Sequence, residues 1–478
     1  MTPSATRLGE LQQRAAEACS IIRSNAEERS PVVVVNHFDA DGLSAGSIVL
    51  AALNRLEVPT HLRVVESLSE KAIEEVDNIE SNLVVFADIG SGYLDMISKG
   101  LSARRIIISD HHQTLGNPTA AVTHFNPHLF GFDGSTEISG AGTAYLLAKS
   151  LDSRNRELAP MALVGCLGDQ QDKGPKRTLR GLNKTILDDA IEARLVEESQ
   201  DLIFFGRQTR PIHRAIASTT TPFIPGLSNE EDKCLAILDR ANIPTKVDDR
   251  WRTISDLLID EKRRLVDMVI QHMISLGLSG EAVLELIGSV YTLTQEDPWT
   301  PLRDAREFAT LLNACGRMGK PSLGVALGVG DRGASFEEAQ EVYAKYKRSL
   351  AKYMNWLAKE PSAFKQLGSI VVVRGDGVID ENMTGAVSSL VSASNLFGDS
   401  KVTLVITQTK EGSTKVSARA TDLLVERGVN LGRILQSLAV NYGGNGGGHA
   451  IAAGATIARE GVDNFLEDFR KIVSSVLA

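Results

Sequence analysis

The chain begins with a regular alternation of short apolar runs and helical patterns, and this alternation most strongly constrains its fold. Three apolar runs are Val32–Val35, Leu83–Ala87 and Arg105–Ser109. Continuous apolar runs of this length are typical of strands buried on both faces of a parallel sheet. The intervening segments predict one further strand and two helices: His61–Val65, Gly42–Leu56 and Ser69–Val76. This βαβ pattern predicts a doubly wound α/β sheet, whose ligands bind beyond the carboxyl ends of the strands.

Acidic and imidazole side chains come directly after these runs. They occur in His37–Gly42, at Asp88, in Asp110–His112 and, further along, at Asp169. Because the carboxyl ends of parallel strands share one edge of a sheet, we expect these groups to converge. Asp clusters with one or two imidazoles suit divalent cations such as Mn²⁺ and Mg²⁺. Two such cations can promote in-line attack on a phosphoester.

The first of these segments has the pattern His-x-Asp-x-Asp. Alternation past the strand end predicts that His37, Asp39 and Asp41 point toward one side. The alternative is a polar turn with a helix-capping Asp, since Asp-Gly is common in turns. Asp88 is a candidate to bridge two cations, because a carboxylate has two oxygens to share.

The Asp110–His112 segment offers three different roles. His111 is a candidate metal ligand through a neutral imidazole nitrogen. His112 is a candidate for contact with a phosphate oxygen or for proton transfer, and the alternative is a structural histidine. Asp110 is a candidate to orient a histidine rather than to bind metal.

A second constellation lies near the C-terminus. The run Gly443–Gly448, interrupted only by Asn445, is followed by His449. Backbone without side chains lets amide N–H groups approach an anion closely. Ser417 and Arg419 precede it at alternate strand positions, and an arginine can grip a phosphate with two hydrogen bonds. The alternatives are a fixed anion-binding loop, which we favour, and a flexible linker; no Lys-Ser/Thr follows, which excludes a nucleoside-triphosphate P-loop.

The middle of the chain carries a weaker signal. Basic and aromatic residues cluster shortly after residue 200: Phe204, Phe205, Arg207, Arg210, His213 and Arg214. Such a set could track single-stranded nucleic acid by charge and stacking, and a solvated basic face is the alternative. A helix is expected around residues 252–275, and a long apolar stripe predicts a connecting helix over 335–360.

A second α/β unit is expected after this helix. Strands are predicted at Ile370–Val373, Val402–Thr407 and Lys415–Arg419. Helices are predicted at Glu381–Leu396, Leu431–Val440 and Val462–Val476. The expected organisation is therefore 1–200 with the metal site, 201–334 of uncertain fold, 335–365 as a connecting helix and 366–478 as a smaller α/β domain.

Composition limits the class of protein. The net charge of −9 does not favour nucleic-acid binding, but such binding depends on a local basic groove rather than on the total. The four cysteines are far apart and form no metal-binding spacing: Cys19, Cys166, Cys234 and Cys315. No apolar run reaches the roughly 18 residues of a membrane span. We therefore expect a cytoplasmic protein with reduced thiols and no membrane partner.

These motifs together resemble the DHH/DHHA1 phosphoesterase superfamily. The first four motifs correspond to His37–Gly42, Asp88, Asp110–His112 and Asp169, and the glycine segment ending in His449 is similar to the DHHA1 signature. Within the superfamily the chain is most similar to archaeal RecJ-like exonucleases, including the type that associates with GINS. The segment Thr300–Arg317 supports this subgroup.

The resemblance implies a role for each motif residue. It implies an N-terminal DHH domain, a connecting helical segment and a C-terminal DHHA1 domain, with two divalent cations, most often Mn²⁺ and also Mg²⁺. The two ligand sets would be His37, Asp39 and Asp88, and Asp41, Asp88, His111 and Asp169. His112 would contact the scissile phosphate, with Asp110 and Asp88 completing the catalytic set. The substrate would be bound by Ser417, Arg419, Gly446, Gly447, Gly448 and His449.

The resemblance also implies an activity and partners. We expect a metal-dependent exonuclease acting on single-stranded DNA or RNA, 5′→3′ on DNA, in DNA replication or repair. One rival is a phosphodiesterase for oligonucleotides or cyclic dinucleotides, against which the long middle segment argues. A rival of another class is a replication scaffold that contacts GINS-type subunits, with nuclease activity secondary; the intact motif argues against loss of activity. An inorganic pyrophosphatase is a more distant alternative.

Overall fold

The computed structural model describes residues 3–219, 223–278, 281–394 and 396–478. Its backbone contacts divide the chain into two compact units, Met1–Tyr343 and Ala344–Ala478. Each unit is built around a β-sheet covered by helices, which confirms the expected α/β class. No helix within the described residues is both long and apolar enough to span a bilayer.

The principal sheet of the first unit has five strands. They are β1 (Val32–His37), β2 (Thr60–Val65), β3 (Leu83–Ala87), β4 (Arg105–Ser109) and β5 (Val122–Phe125). The spatial order is β2-β1-β3-β4-β5, and every neighbouring pair is parallel. The residues of β3 are completely buried, as the continuous apolar run predicts.

Seven helices accompany this sheet. They are α1 (Pro3–Glu27), α2 (Ala40–Arg55), α3 (Glu70–Asp77), α4 (Leu94–Gly100), α5 (Gly140–Leu151), α6 (Ala159–Gly168) and α7 (Gly181–Glu192). Apolar residues of α3 and α4 pack on one face of the sheet with alternate residues of β1, β3 and β4. Helices α2 and α5 contact strands of the same sheet and pack against each other. Helices on both faces confirm the doubly wound arrangement.

The middle of the chain forms its own apolar core. Its elements are β6 (Val196–Leu202), α8 (Ile212–Ser218), α9 (Glu231–Arg240), β7 (Lys246–Val247), β8 (Arg250–Trp251), α10 (Ile259–Ser275), α11 (Glu281–Leu284) and β9 (Ile287–Leu293). Residues of α8, α9 and α10 share a buried cluster. Strands β6 and β9, at the two ends of this segment, pair antiparallel in a two-stranded sheet, so the segment begins and ends side by side.

The helix expected around residues 252–275 begins later than predicted. Helix α10 starts at Ile259, because the preceding residues form polar caps instead. Arg252 is buried and donates two hydrogen bonds to Glu261. Thr253 and Asp256 form a capping box around a short 3₁₀ turn. These local hydrogen bonds compete with helix formation.

Three helices follow β9. They are α12 (Ala305–Arg317), α13 (Pro321–Gly328) and α14 (Ala334–Lys359). Helix α12 packs against α2 and α6, and α13 packs against α2. Helices that follow the middle core therefore pack on α2 and α6, the helices next to the His37–Gly42 motif and Asp169. Helix α14 matches the connecting helix expected over 335–360.

The second unit has a six-stranded sheet. Its elements are β10 (Phe364–Leu367), β11 (Ile370–Arg374), α15 (Thr384–Ala393), β12 (Val402–Gln408), β13 (Thr414–Arg419), α16 (Asp422–Glu426), α17 (Leu431–Val440), β14 (Asn445–Gly448), β15 (Ala452–Ile457) and α18 (Val462–Leu477). The order is β10-β11-β12-β13-β15-β14, with only β11 and β12 parallel. Helices α17 and α18 share one apolar core with the sheet, and α15 packs over β12 and β13.

Two predictions for this unit differ from the structure. The helix expected over Glu381–Leu396 is a 3₁₀ turn, Glu381–Met383, followed by α15; Asn395 lies outside the described residues. The glycine segment, expected as a fixed loop, is the edge strand β14 over Asn445–Gly448. The backbone of β14 pairs with β15 through hydrogen bonds. A run of glycines gives no sequence signal for such a strand.

Candidate metal centre

The structure brings the N-terminal motif residues to one edge of the parallel sheet. Strand β1 ends at His37, and Asp88 and Asp110 directly follow β3 and β4. These strands are neighbours, so their carboxyl ends lie side by side. The site therefore forms where open parallel sheets bind ligands.

His37, Asp39 and Asp88 form the first donor group, with ligand atoms mutually within 4.8 Å. His37 Nδ1 lies 3.1 Å from Asp39 Oδ1 and 3.9 Å from Asp88 Oδ2. Asp39 caps the N-terminus of α2, where its side chain accepts a hydrogen bond from the Gly42 amide.

The expected strand alternation through His37, Asp39 and Asp41 is wrong. The strand stops at His37, and the two carboxylates belong to the cap and first turn of α2. The capping role that the sequence left as an alternative is thus real for Asp39, which nevertheless remains part of the donor group.

Asp41, His111 and Asp169 form the second donor group, also mutually within 4.8 Å. Asp41 accepts hydrogen bonds from Gly140 and Ala141, the first amides of α5, at 2.7 and 2.9 Å. Helix N-termini favour a carboxylate in this position. Asp169 follows the last residue of α6.

The two donor groups meet at Asp88 and His111. Asp88 Oδ1 lies 3.2 Å from His111 Nε2, and Asp41 Oδ2 lies 3.6 Å from the same nitrogen. All three side chains are buried, with exposed fractions of 1–3%. Asp88 also has a backbone φ of +59°, a conformation that non-glycine residues adopt at an energetic cost.

Burial crowds these carboxylates. The pKa of the Asp41 carboxyl is raised well above its usual range by burial and then by the charge of Asp88. Burial also raises the pKa of Asp88, against the opposing effect of His111. Burial alone would lower the pKa of His37, but Asp39 raises it to about 9. Without a cation, the carboxyls of Asp41 and Asp88 therefore hold their protons more tightly than usual, and a bound cation would take the place of those protons.

The donor set fits divalent cations by two further observations. Asp88 Oδ1 is buried and makes no well-aligned hydrogen bond within the described residues, although His111 Nε2 faces it at 3.2 Å. A Cβ built on Gly140 would lie 2.2 Å from that same oxygen, so only glycine leaves room for the carboxylate. Carboxylates and imidazoles are ligands that Mn²⁺ accepts in proteins.

Asp110 orients the two histidines that follow it. Its Oδ1 accepts hydrogen bonds from the His111 amide at 2.8 Å and from His112 Nδ1 at 2.7 Å. Its Oδ2 accepts from the Ser91 amide. Burial opposes ionisation, yet His112 and His111 hold the pKa of the Asp110 carboxyl well below its usual range. The side chain thus acts on the site through His112, which is 30% exposed.

Sequence reasoning missed two residues of α12 beside the first donor group. Asn313 Oδ1 accepts a hydrogen bond from the Ala40 amide at the start of α2. Arg317 lies close enough to help lower the pKa of Asp39, and its Nε is buried without a hydrogen bond within the described residues. Both belong to the segment Thr300–Arg317, which indicated a subgroup but no role.

A buried ion pair fixes the loop after Asp169. Arg306 of α12 donates to Asp172 through Nε and Nη2, at 3.1 and 2.7 Å, and to the Ser289 carbonyl of β9. Asp172 is 5% exposed. The loop that carries Asp169 is thereby tied to α12 and, through Arg306, to β9.

The second unit places Ser417 and Arg419 on one face of β13. Ser417 Oγ lies 2.8 Å from Thr384 Oγ1. Arg419 donates through Nε to Ser389 Oγ and through Nη2 to the Gly385 carbonyl. Both side chains are thus oriented by α15, as their alternate positions on the strand require.

The glycines of β14 have different surroundings. Ser417, Gly454 and Gly447 lie in one row across β13, β15 and β14, and a Cβ on Gly447 would meet no atom within 4 Å. A Cβ on Gly446 would lie 2.7 Å from the Leu435 carbonyl of α17. Gly448 has a φ of +132°, which side chains rarely allow. Close packing therefore requires glycine at Gly446 and Gly448, and His449 follows directly at the strand end.

The basic and aromatic residues after residue 200 do not form one exposed face. Phe204 and His213 are buried, and Arg207 is buried in an ion pair with Asp201. Arg210 stacks on Phe205. Phe204, Arg207 and His213 therefore belong to the core of the middle segment, whereas Phe205 and Arg214 remain exposed.

Known families match three parts of the chain. Residues 31–167 match the DHH family, N-terminal domain; residues 204–287 match the DHH-CID domain; and residues 368–475 match the DHHA1 domain. An uncharacterized protein of Methanocaldococcus jannaschii is 31% identical over 451 residues, which cover 93% of each chain. The chain belongs to the DHH/DHHA1 phosphoesterase superfamily.

Two solved structures have a fold similar to that of this DHH/DHHA1 chain. RecJ of Thermus thermophilus in complex with Mn²⁺ has a TM-score of 0.57 at 17% identity, covering 97% of this chain. The match spans 55% of that RecJ. CDC45 of Entamoeba histolytica has a TM-score of 0.64 at 11% identity, covering 97% of this chain and 99% of that one. The fold is therefore RecJ-like, as the sequence resemblance implied.

Proposed function

We propose that the protein is a phosphodiesterase that uses two divalent cations to hydrolyse single-stranded nucleic acid from one end, 5′→3′ on DNA. The observation that supports this most directly is that the two donor groups lie side by side. Asp88 Oδ1 of the first group is 3.2 Å from His111 Nε2 of the second. Two cations in such a site suit in-line attack on a phosphoester.

The proposed ligands divide between the two groups. One cation would be held by His37, Asp39 and Asp88, and the other by Asp41, Asp88, His111 and Asp169. When bound, the cations supply Lewis acidity for activating water and for balancing charge on phosphoryl oxygens. Mn²⁺ suits the mixture of imidazole and carboxylate best, and Mg²⁺ is second.

Asp110 and His112 would act on the substrate rather than on the cations. Because Asp110 Oδ1 accepts from His112 Nδ1, the ring is held with Nε2 directed away from that carboxylate. We assign Nε2 to a hydrogen bond with a phosphate oxygen, which would stabilise the negative charge that develops there.

The second unit would hold the nucleic-acid backbone. Arg419 and Ser417 offer a cation and a hydroxyl on the face of β13, and Gly447 leaves the backbone of the same row uncovered. Gly446, Gly448 and His449 complete the proposed binding segment. Uncovered peptide groups and an arginine are suited to phosphate without selecting a base.

The test is digestion of end-labelled strands. Single-stranded DNA and RNA, labelled at either end, are incubated with Mn²⁺, Mg²⁺ or chelator, and product ladders are compared with those from dinucleotides. The proposal expects metal-dependent release of short products from the 5′ end of DNA. Hydrolysis that continues in full with chelator, or turnover confined to dinucleotides, would refute it. The variant Asp189→Asn is a control, because Asp189 is a buried carboxylate bonded to Tyr145 and not to the site.

A scaffold role is the second candidate, favoured by the fold shared with CDC45 over nearly the whole of both chains. It would involve GINS-type replication subunits, in addition to DNA replication or repair activity. Co-purification of such subunits with an Asp88→Asn variant that lacks nuclease activity would separate the two roles.

The proposed domain division remains 1–200, 201–334, 335–365 and 366–478. Helix α12 belongs to the segment 201–334, yet it packs on α2 and α6 of the proposed metal domain. A protein lacking residues 201–334 is therefore expected to lose its metals along with its middle core.

A further inference from the structure

Gln171 lies two residues beyond Asp169, and its side chain is completely buried. Its amide nitrogen lies within hydrogen-bond distance of three oxygens. These are the Gly134 carbonyl at 2.8 Å, the Ile138 carbonyl at 3.1 Å and Asp169 Oδ2 at 2.7 Å. One amide group therefore contacts a proposed metal ligand and two backbone carbonyls of a neighbouring loop.

The same two carbonyl oxygens also lie close to a ring nitrogen of His111. His111 Nδ1 lies 2.6 Å from the Gly134 carbonyl and 3.2 Å from the Ile138 carbonyl. A ring nitrogen that faces a carbonyl oxygen carries a proton, so Nδ1 stays protonated and Nε2 is the nitrogen whose proton a bound cation would replace. Nε2 is the atom that faces Asp41 and Asp88.

Asn183 fixes which way the Gln171 amide points. Asn183 Nδ2 donates to Gln171 Oε1 at 2.7 Å, and Asn183 Oδ1 accepts from the Ser139 amide at 3.4 Å. Because Oε1 is occupied as an acceptor, the NH₂ group must face the carbonyls and Asp169. Ser139 in turn caps α5, whose first amides hold Asp41.

We infer that Gln171 is a positioning residue that holds Asp169 directly and His111 through their shared carbonyls, and so shapes one of the two metal positions. The inference rests on the proposed metal centre. An amide suits this place, because a carboxylate would face three acceptors and an apolar side chain would leave them unpaired. Loss of a residue that hydrogen-bonds to a metal ligand commonly weakens metal binding by about 10–100-fold.

The test compares Mn²⁺ affinity with folding stability. Gln171→Met keeps the length of the side chain but removes both donors, and Gln171→Glu replaces the donors with an oxygen. Mn²⁺ binding is followed by the electron paramagnetic resonance signal of the free ion, and stability by denaturant unfolding. The expected loss in affinity is about 10–100-fold for Gln171→Met, and larger for Gln171→Glu.

A matched control separates positioning from general stability. Asn155 is an equally buried amide that bonds to Ala148 and Arg55, away from the donor groups. Asn155→Leu is expected to lower stability while leaving Mn²⁺ affinity unchanged. Unchanged affinity in folded Gln171→Met, or an equal loss in Asn155→Leu, would overturn the inference.

A measurement on the wild-type chain does not depend on any variant folding. In protein loaded with diamagnetic Mg²⁺, nitrogen NMR is expected to show the His111 ring proton on Nδ1. A proton on Nε2 would overturn the inference while leaving other ligands in place. Failure of the wild type to bind Mn²⁺ would instead overturn the metal centre itself, together with this role for Gln171.

Discussion

The two units of this protein differ in where they keep charge. The first unit buries many charged side chains, among them Asp41, Asp88, Asp110, Arg207 and Glu307. Among the described residues of Ala344–Ala478, the buried polar side chains are all serines and threonines: Thr384, Ser388, Thr403, Thr407, Thr414 and Ser417. Burying a charge is costly unless it is paired or binds a metal, and burying a hydrogen-bonded hydroxyl costs little.

This difference agrees with the proposed division between hydrolysis in the first unit and substrate binding in the second. The first unit buries carboxyls with raised pKa values at the edge of its parallel sheet, where a bound cation would take the place of their protons. The second unit offers a sheet face with a glycine strand and an arginine held by α15. Such a face suits recognition of a repeated backbone. Changes in the first unit should therefore affect metal and turnover, and changes in the second should affect substrate binding.

Asp88→Asn should have the largest effect. The substitution keeps the shape of the side chain but removes the charge that is proposed to bind both cations, so hydrolysis should fall more than about 10⁴-fold. Because the pKa of Asp88 is raised by burial, the metal-free variant should also be more stable than the metal-free wild type. Turnover, metal content and unfolding are measured together. An Asp88→Asn variant that is less stable than the wild type and still active would contradict the proposed role of the buried carboxylates in the first unit.

Asp110→Asn should have the next largest effect. The amide has one acceptor oxygen where the carboxylate uses two, and it lacks the negative charge that pairs with His112. The ring is therefore held less firmly, and turnover should fall on the order of 10³-fold. Metal content should stay the same, because Asp110 is occupied by Ser91, His111 and His112. Loss of metal on this substitution would show that Asp110 is itself a ligand.

Arg419→Ala should weaken strand binding by about ten- to a hundredfold, the scale of one charged hydrogen bond. Mn²⁺ affinity should not change, because the two donor groups, His37–Asp39–Asp88 and Asp41–His111–Asp169, lie in the first unit. Filter binding of labelled single strands and a parallel metal titration measure the two quantities. Arg427→Ala is the control, since Arg427 donates to the Leu477 carbonyl elsewhere in the same unit. Loss of metal from Arg419→Ala would contradict the division of roles.

Glu307→Gln should have the smallest effect, on stability alone. Burial, followed by the charge of Asp304, raises the pKa of Glu307 from 4.5 to about 7. The folded protein therefore holds a proton that the unfolded chain has lost between about pH 4.5 and 7, so stability falls as pH rises through that window. Each pKa unit corresponds to about 1.4 kcal/mol.

The glutamine variant should lose this pH dependence. Unfolding free energies of both proteins are measured at pH 5 and pH 8 with saturating Mn²⁺, and the difference between the two proteins isolates Glu307. Glu338→Gln, a substitution at a half-exposed surface carboxylate, should behave as the wild type. An identical pH slope in Glu307→Gln would show that the buried carboxyl does not titrate in this range.

The sequence by itself determined four of the five strands of the first sheet, all except β5, and the motif residues of the candidate metal site. Strands β1, β3 and β4 follow from continuous apolar runs, and the chemistry of His37, Asp88 and His111 follows from their place at the strand ends. These features are local, because a buried strand needs apolar residues at each position and a parallel sheet collects its strand ends at one edge.

Only the tertiary structure decided how those residues are held. Gln171 reaches Gly134, Arg306 reaches Asp172, and Asn313 reaches Ala40, across separations that no local pattern encodes. The strand character of Asn445–Gly448 likewise depends on pairing with β15 and packing against α17, since glycine alone predicts no strand. Hydrogen bonds of buried polar groups are satisfied by whichever partners the fold brings near, and that proximity is a property of the whole chain.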